Sequence, residues 1–290
     1  MTMTFSRTIS NQEKVFENLR KHPLFILLKK DILNGVVFPA IRNEIIDFYY
    51  GGQRLFNYRC KSNVFSTNIK FASVYDFKGD YISEKGLKSL KPIDQFGTPD
   101  TYKRIKENCS VFSGVETSGV SKVYSKWSIL NEKNKSDICI LDIEISFEKE
   151  DIGRDQIDLL VYNKKEKKLR FYEAKHFLNK ELWSSKGEQK VLGQLKRYNN
   201  QLHKKDDIRN VYQGYVRTIN NLFGTNFPEP VELDNKVVLF VFGFDQAQKD
   251  GKLKANFEGG MGFKDILYYS KGNINIVSMN NVWNNIKTGK

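Results

Sequence analysis

Three residues of this chain have the types and spacing to hydrolyse a phosphodiester bond. Glu173 and Lys175 stand two apart in an apolar run, 169–176, and Asp158 lies fifteen positions before Glu173 in another, 156–162. Residues two apart on a strand project from one face, roughly 7 Å apart, and a neighbouring strand lies only about 4.8 Å away. If the two runs pair, Asp158, Glu173 and Lys175 meet at one point. Two carboxylates meeting there suit Mg²⁺ or Mn²⁺, hard cations that take oxygen ligands and, for Mg²⁺, keep several waters. A lysine beside the cation orients or deprotonates one such water. Together they supply charge neutralisation, an activated nucleophile and an in-line approach.

The pattern Glu-x-Lys is not distinctive alone, since it occurs at Glu166-Lys168, Glu173-Lys175 and Glu188-Lys190. Only the middle copy lies in an apolar strand, where an acid carries a desolvation cost that calls for a pairing or functional reason. The ordinary alternative is a cross-strand salt bridge between Lys175 and Asp158 on a solvated sheet face.

The elements that must position these residues follow a clear order. Residues 138–147 alternate Ile143, Ile145 and Phe147 against Asp142, Glu144 and Ser146, the period of a half-buried strand. A turn at Gly153, a strand over 156–162, a charged turn at 163–168 and a strand over 169–176 come next. A helix over 191–202 carries the stripe Val191, Leu195, Tyr198 and Leu202. An irregular connection containing Pro228 and Pro230 leads to a buried strand at 237–244, and 274–279 reads as one more strand. A helix over 118–130 precedes the set. This order describes an α/β domain with a mixed sheet.

Upstream, Ser10-Asn11-Gln12-Glu13 reads as a capping box opening a helix that closes before Pro23, and a second helix runs from Pro23 towards Leu33 and stops at Gly35. Residues 48–77 have the texture of short antiparallel strands and hairpins. The linker falls between Lys91-Pro92 and Thr98-Pro99, with Thr98 as N-cap and Pro99 at the first helical position. The expected division is an N-terminal α+β domain, 1–95, and an α/β domain, 96–290.

The chain has 290 residues, 40% hydrophobic, enough for a sizeable core, and 47 Lys plus Arg against 34 Asp plus Glu give a net charge of +13. That excess favours a polyanionic partner. Three dispersed cysteines and three histidines exclude a zinc framework and a histidine-rich centre, leaving carboxylates as the metal ligands. No apolar run approaches the roughly 20 residues that span a bilayer, and the start has no apolar signal core. The expectation is a cytoplasmic protein with no membrane partner.

The runs 156–162 and 169–175 resemble the core of the PD-(D/E)xK nuclease superfamily, and Gln194-Leu195-Lys196-Arg197-Tyr198 is similar to the Gln-x-x-x-Tyr element of its RecB-like branch. The resemblance covers residues 110–245. It implies a restriction-endonuclease-like α-β-β-β-α-β core with a mixed central sheet flanked by helices, Asp158 and Glu173 as metal ligands, Lys175 as the water-activating residue, and Gln194 and Tyr198 near the substrate backbone. The histidine that the RecB-like branch often carries upstream is absent between His22 and His176. Many other members use an upstream glutamate instead. Glu144, on the strand with Asp142, is taken first for that position, and Glu116, before the helix over 118–130, second.

Gln194 and Tyr198 share a helix face, although the apolar stripe accounts for Tyr198 by packing alone. His176 points to the opposite face from Lys175 and reads as structural. Between residues 160 and 210 lie 14 bases against 6 acids, a backbone-binding surface in which Lys196 and Arg197 stand on the helix. The expected activity is Mg²⁺- or Mn²⁺-dependent hydrolysis of nucleic acid, DNA ahead of RNA. The alternative is a nuclease-like fold that binds nucleic acid or builds an assembly without cutting. The first 95 residues are available to bind nucleic acid, a protein partner or a second protomer.

Overall fold

The computed structural model describes residues 5–74, 77–91, 94–147, 156–183, 189–259 and 262–290. The expected turn at Gly153, Pro92 of the linker, and Lys186 and Glu188 lie outside the described residues.

Two helices open the chain, α1 (Gln12–Lys21) and α2 (Pro23–Leu33). The capping box does not form: Asn11 is the N-cap, in left-handed backbone and without a side-chain cap bond. Ser10 is engaged elsewhere, its N and Oγ both donating to Glu44 Oε1 at 3.0 and 2.5 Å. Five strands follow, β1 (Phe38–Arg42), β2 (Ile45–Tyr50), β3 (Gln53–Arg59), β4 (Val64–Asn68) and β5 (Tyr81–Ser83), paired antiparallel in chain order. Gly51 and Gly52 turn β2 into β3 with φ of 57° and 85°, as a two-residue hairpin loop of type I′ requires. Helices α3 (Glu84–Leu90) and α4 (Pro99–Val111) come next, the latter with Thr98 at the N-cap and Pro99 in the first turn. α4 packs on the first sheet, where Tyr102 stacks on Phe56 with centroids 6.2 Å apart.

The second sheet is mixed. After α5 (Val115–Lys126), strands β6 (Ile138–Ile145), β7 (Ile157–Asn163) and β8 (Lys168–His176) pair antiparallel. Helices α6 (Lys190–Gln201) and α7 (Lys205–Phe223) and strand β9 (Glu232–Leu233) follow, and then β10 (Val238–Phe242), which lies parallel to β8. After the short helices α8 (Gln246–Gln248) and α9 (Lys254–Phe257) come β11 (Leu267–Lys271), α10 (Met279–Asn284) and β12 (Lys287–Thr288). The strand order is β12-β11-β10-β8-β7-β6, with β9 on the start of β8. β10 is buried at every position, as a strand covered on both faces must be. Side chains of α6 and α7 cover one face of the sheet, and those of α5 and α10 the other. Among the described residues no helix is long and apolar enough to cross a membrane.

Two further expectations fail in the second half of the chain. Residues 205–223, read as irregular, form α7, whose Ile208, Tyr212, Tyr215, Val216, Ile219 and Leu222 are buried at three- and four-residue spacing. Interspersed Asn, Gln and Arg hide that stripe, although Asp206 and Asp207 in the first turn and Gly224 at φ 71° mark both ends. Residues 274–279 are not a strand: Ile274–Ile276 is a single 3₁₀ turn capped by the Asn273 side chain, and Met279 begins α10. The additional strand is β11.

The two sheets meet through side chains. Phe5 contacts Phe147 and Tyr212, with centroids 4.9 and 5.8 Å apart, and Gly52 N donates to Tyr124 Oη of α5 at 3.0 Å. A Cβ on Gly52 would stand 2.5 Å from the Thr117 side chain, so the hairpin tip rests on the first turn of the helix that carries Glu116.

Candidate active site

Leu159 of β7 pairs with Tyr172 of β8, and the same register sets Asp158 opposite Glu173. Here a side chain enters the ladder: Ala174 N donates to Asp158 Oδ2 at 2.6 Å. Glu173 and Lys175 share a face, with Lys175 Nζ 3.0 Å from Glu173 Oε1 and 2.9 Å from Glu181 Oε2. The three residues singled out by type and spacing therefore converge. The surroundings are not those of a solvated surface bridge, because Glu173 is 2% and Lys175 7% exposed. Among the described residues, the ion pairs of Lys175 go to Glu173 and Glu181, and Asp158 acts on it through charge.

Burial pushes Asp158 well above the usual carboxylate range, and the charges of Glu173 and Glu144 push it further. Burial likewise raises Glu173 to about 7, against the pull of Lys175 and with help from Glu116 and Glu181. For Lys175 burial works against the charged form, yet Glu173 and Asp158 outweigh it and hold the ammonium above its ordinary value. Glu173 Oε2 is buried with no hydrogen-bond partner among the described residues. Leaving such an acceptor unpaired costs about 1–3 kcal/mol or more. A buried, unpartnered carboxylate oxygen beside a second crowded carboxylate is a donor set that fits a hard divalent cation. Among the described residues no three His, Cys, Asp or Glu side chains are grouped to hold a metal, so a cation here would rest on Asp158 and Glu173 with water in the remaining positions.

The two upstream glutamates take different places. Glu144 lies between Ile143 and Ile145, which pair with Leu159 and Ile157, so it stands opposite Asp158. Its φ is 50°, a left-handed backbone that costs a non-glycine residue about 1–3 kcal/mol. Glu116 sits in the first turn of α5 and accepts from His176 N at 2.7 Å and from Asn179 Nδ2 at 3.1 and 2.9 Å. It fixes the end of β8 and reaches Glu173 by charge. His176 is packed edge-on against Phe242, with centroids 5.4 Å apart, and its Nδ1 accepts from Leu178 N. Gly243, at φ 78°, leaves room for that ring, which any Cβ would strike.

Glu181 and Asn179 were not among the candidates. Asn179 Oδ1 accepts from Glu181 N at 2.9 Å while its Nδ2 holds Glu116, so one amide positions both Glu181, which pairs with Lys175, and Glu116, which acts by charge on Glu173. The available signal was an Asn just beyond a strand end, where Asx caps form.

Tyr198 Oη donates to Gln156 O at 3.1 Å and the residue is 1% exposed, in keeping with its place in the apolar stripe. Gln194 is half-buried, with Oε1 unpartnered among the described residues. Lys196 and Arg197 are exposed on α6. The basic stretch is not one surface. Lys168 and Arg170 pair with Asp234 at 2.8 and 2.5 Å, and Arg209 with Asp206 at 2.8 Å. Arg170 and Lys175 are five apart on a strand and so face opposite ways.

The half-buried reading of β6 is also corrected, since Asp142 is fully buried. Its register shifts between Ile140 and Asp142, and the carboxylate pairs with Arg7 Nε at 3.0 Å and Arg42 Nη1 at 2.8 Å and accepts from Tyr212 Oη at 3.0 Å. These groups replace the water that the strand's polar face loses to α7 and β1. The chain matches no protein-family model, no curated protein and no solved structure.

Proposed function

We propose that this chain is a Mg²⁺- or Mn²⁺-dependent nuclease that hydrolyses phosphodiester bonds, DNA ahead of RNA, on a restriction-endonuclease-like core of the PD-(D/E)xK kind. The observation that carries the reading is the buried meeting of Asp158, Glu173 and Lys175, with one Glu173 oxygen paired to the lysine and the other unpartnered. The element order α5-β6-β7-β8-α6-β10 supports the fold part of the reading, with the further helix α7 and strand β9 inserted before β10.

Asp158 and Glu173 would hold the cation, which when bound supplies Lewis-acid polarisation of a phosphoryl oxygen. Lys175 is held as an ammonium by Glu173 and Glu181, so it acts as a donor: its N–H groups orient an attacking water and offset the negative charge that grows on the phosphoryl oxygens. Of the two roles expected for Lys175, its ion pairs with Glu173 and Glu181 support orienting the water. Glu116 and Asn179 keep the end of β8 and Glu181 in register with the lysine. Burial of the site strengthens each of these interactions.

Labelled linear duplex, circular duplex, single-stranded DNA and RNA, each incubated with and without Mg²⁺, test the reading. Cleavage of at least one substrate that requires the cation supports it. Intact substrates in all four arms, or cleavage indifferent to EDTA, end it.

A further inference from the structure

A cleft of about 410 Å³ opens where β2, β3 and β5 approach the ends of β6 and β7, and Glu144 forms part of its wall. Its polar lining is unusual. Arg7 Nη2, Arg54 Nε, Asp47 Oδ1 and Asn57 Oδ1 are all buried without a hydrogen-bond partner among the described residues. Arg7, Asp47 and Asn57 are 5%, 4% and 7% exposed. Arg7 spends its Nε on Asp142, and the contact of Asp47 Oδ1 with Arg54 Nη1, at 3.7 Å, is too long for a hydrogen bond. Buried polar groups are nearly always paired. Two unpaired donors and two unpaired acceptors belong to residues that line one cleft, and a ligand seated there would pair with them once the side chains turn toward it.

That ligand must present two acceptors and two donors. Arg42 and Arg59 line the cleft as well, giving four guanidiniums against the carboxylates of Asp47 and Glu144; inorganic phosphate would meet the arginines but leave the acceptors Asp47 Oδ1 and Asn57 Oδ1 unpaired. Tyr49 and Tyr81 also line the cleft, and aromatic walls suit a planar ring. Among the bases, guanine offers O6 and N7 as neighbouring acceptors, the pair that arginine reads, together with N1–H and N2–H as neighbouring donors for a carboxylate or amide oxygen. Adenine and cytosine lack the paired donors, and thymine has a single one. We propose that the cleft receives a guanine base, unpaired or drawn out of the stack, with Arg7 and Arg54 donating to it and Asp47 and Asn57 accepting from it. The inference rests on the nucleic-acid substrate proposed above and gives that site a base preference, because Glu144 joins the cleft wall to the strand position opposite Asp158. An extruded base is read in this way, by its hydrogen-bonding edge and by stacking.

The test is calorimetric titration of the full chain, in EDTA, with dGMP, dAMP, dCMP, dTMP and inorganic phosphate. dGMP is expected to saturate a single site and to bind roughly ten-fold or more tightly than the other three nucleotides. Asp47→Asn, which turns an acceptor into a mixed group, should remove most of that preference, and Asp158→Asn should leave it intact. Asn57→Ala serves if Asp47→Asn fails to fold, because the Asn57 carbonyl oxygen has no protein partner to lose. No saturable nucleotide binding, equal binding of all four, or displacement of dGMP by phosphate at comparable concentration overturns the inference. dGMP selectivity in a protein that cleaves nothing upholds the pocket while the nuclease reading falls, and cleavage without dGMP selectivity sinks the pocket alone.

Discussion

Lys175 Nζ lies 3.0 Å from Glu173 Oε1, while Oε2 of the same carboxylate is buried without a partner among the described residues. One ammonium thus serves half of a carboxylate that faces Asp158 and feels Glu116 and Glu181 as well. The site carries more negative charge than its own lysine neutralises, and its stability should respond to both pH and cations.

Asp158→Asn tests that imbalance. A buried acid whose pKa is raised on folding costs stability as pH climbs above its unfolded value, about 3.9, and the cost grows until the folded value is passed. The neutral amide escapes this cost and retains an oxygen for the Ala174 amide. The metal-free melting temperature of the variant should equal or exceed wild type at pH 7, and the difference should vanish below about pH 4. Mn²⁺ at a hundred times its dissociation constant should stabilise wild type by about 2.7 kcal/mol, roughly 4–5 °C, and leave the variant unmoved. Melting curves in EDTA and in Mn²⁺ check both parts.

Asp142 gives the opposite pH sign. Burial alone would raise its pKa, but Arg42 and Arg7 override burial and hold it below the usual range. Its contribution is fully present above the unfolded value, about 3.9, and is lost as pH falls through the lowered folded value. Asp142→Asn should cost about 3–5 kcal/mol at pH 7, because two buried guanidinium groups lose their counter-charge. The variant should also lose less stability than wild type between about pH 4 and pH 2. Denaturant titrations across that range measure both effects.

Much of the second sheet was readable from period and spacing. The short apolar runs 156–162 and 169–176 read as paired strands, and an acid in each marks the point where they meet. Asp142 carried the same signal and went unread, because its partners Arg7, Arg42 and Tyr212 come from three distant segments that no local pattern links. Glu181 escaped for a related reason: it reaches Lys175 through a 3₁₀ turn, Lys180–Leu182, and a turn has no periodicity to extrapolate. The cleft is composed by packing β2 and β3 against β6, so its four unpartnered atoms are a property of tertiary structure alone.

The exposed pair on α6 makes a prediction about salt. Binding to duplex DNA in Ca²⁺ should weaken by about 0.9 log units per log unit of salt for each phosphate contacted. Lys196→Ala combined with Arg197→Ala should flatten that slope by about 1–2 contacts. Fluorescence anisotropy over a series of salt concentrations reads the slope, and an unchanged value moves the backbone surface away from α6.

The central claim is that Asp158, Glu173 and Lys175 form a cation-dependent phosphodiesterase centre. Its most direct measurement is the rate of cleavage of an end-labelled DNA duplex in Mg²⁺ by wild type, Asp158→Ala and Lys175→Ala, each verified as folded by circular dichroism. Wild type should cut, EDTA should stop it, and each variant should lose about 10²–10³-fold or more in rate, the scale expected when one principal electrostatic element is removed. Cleavage by either folded variant at a rate near that of wild type would contradict the claim.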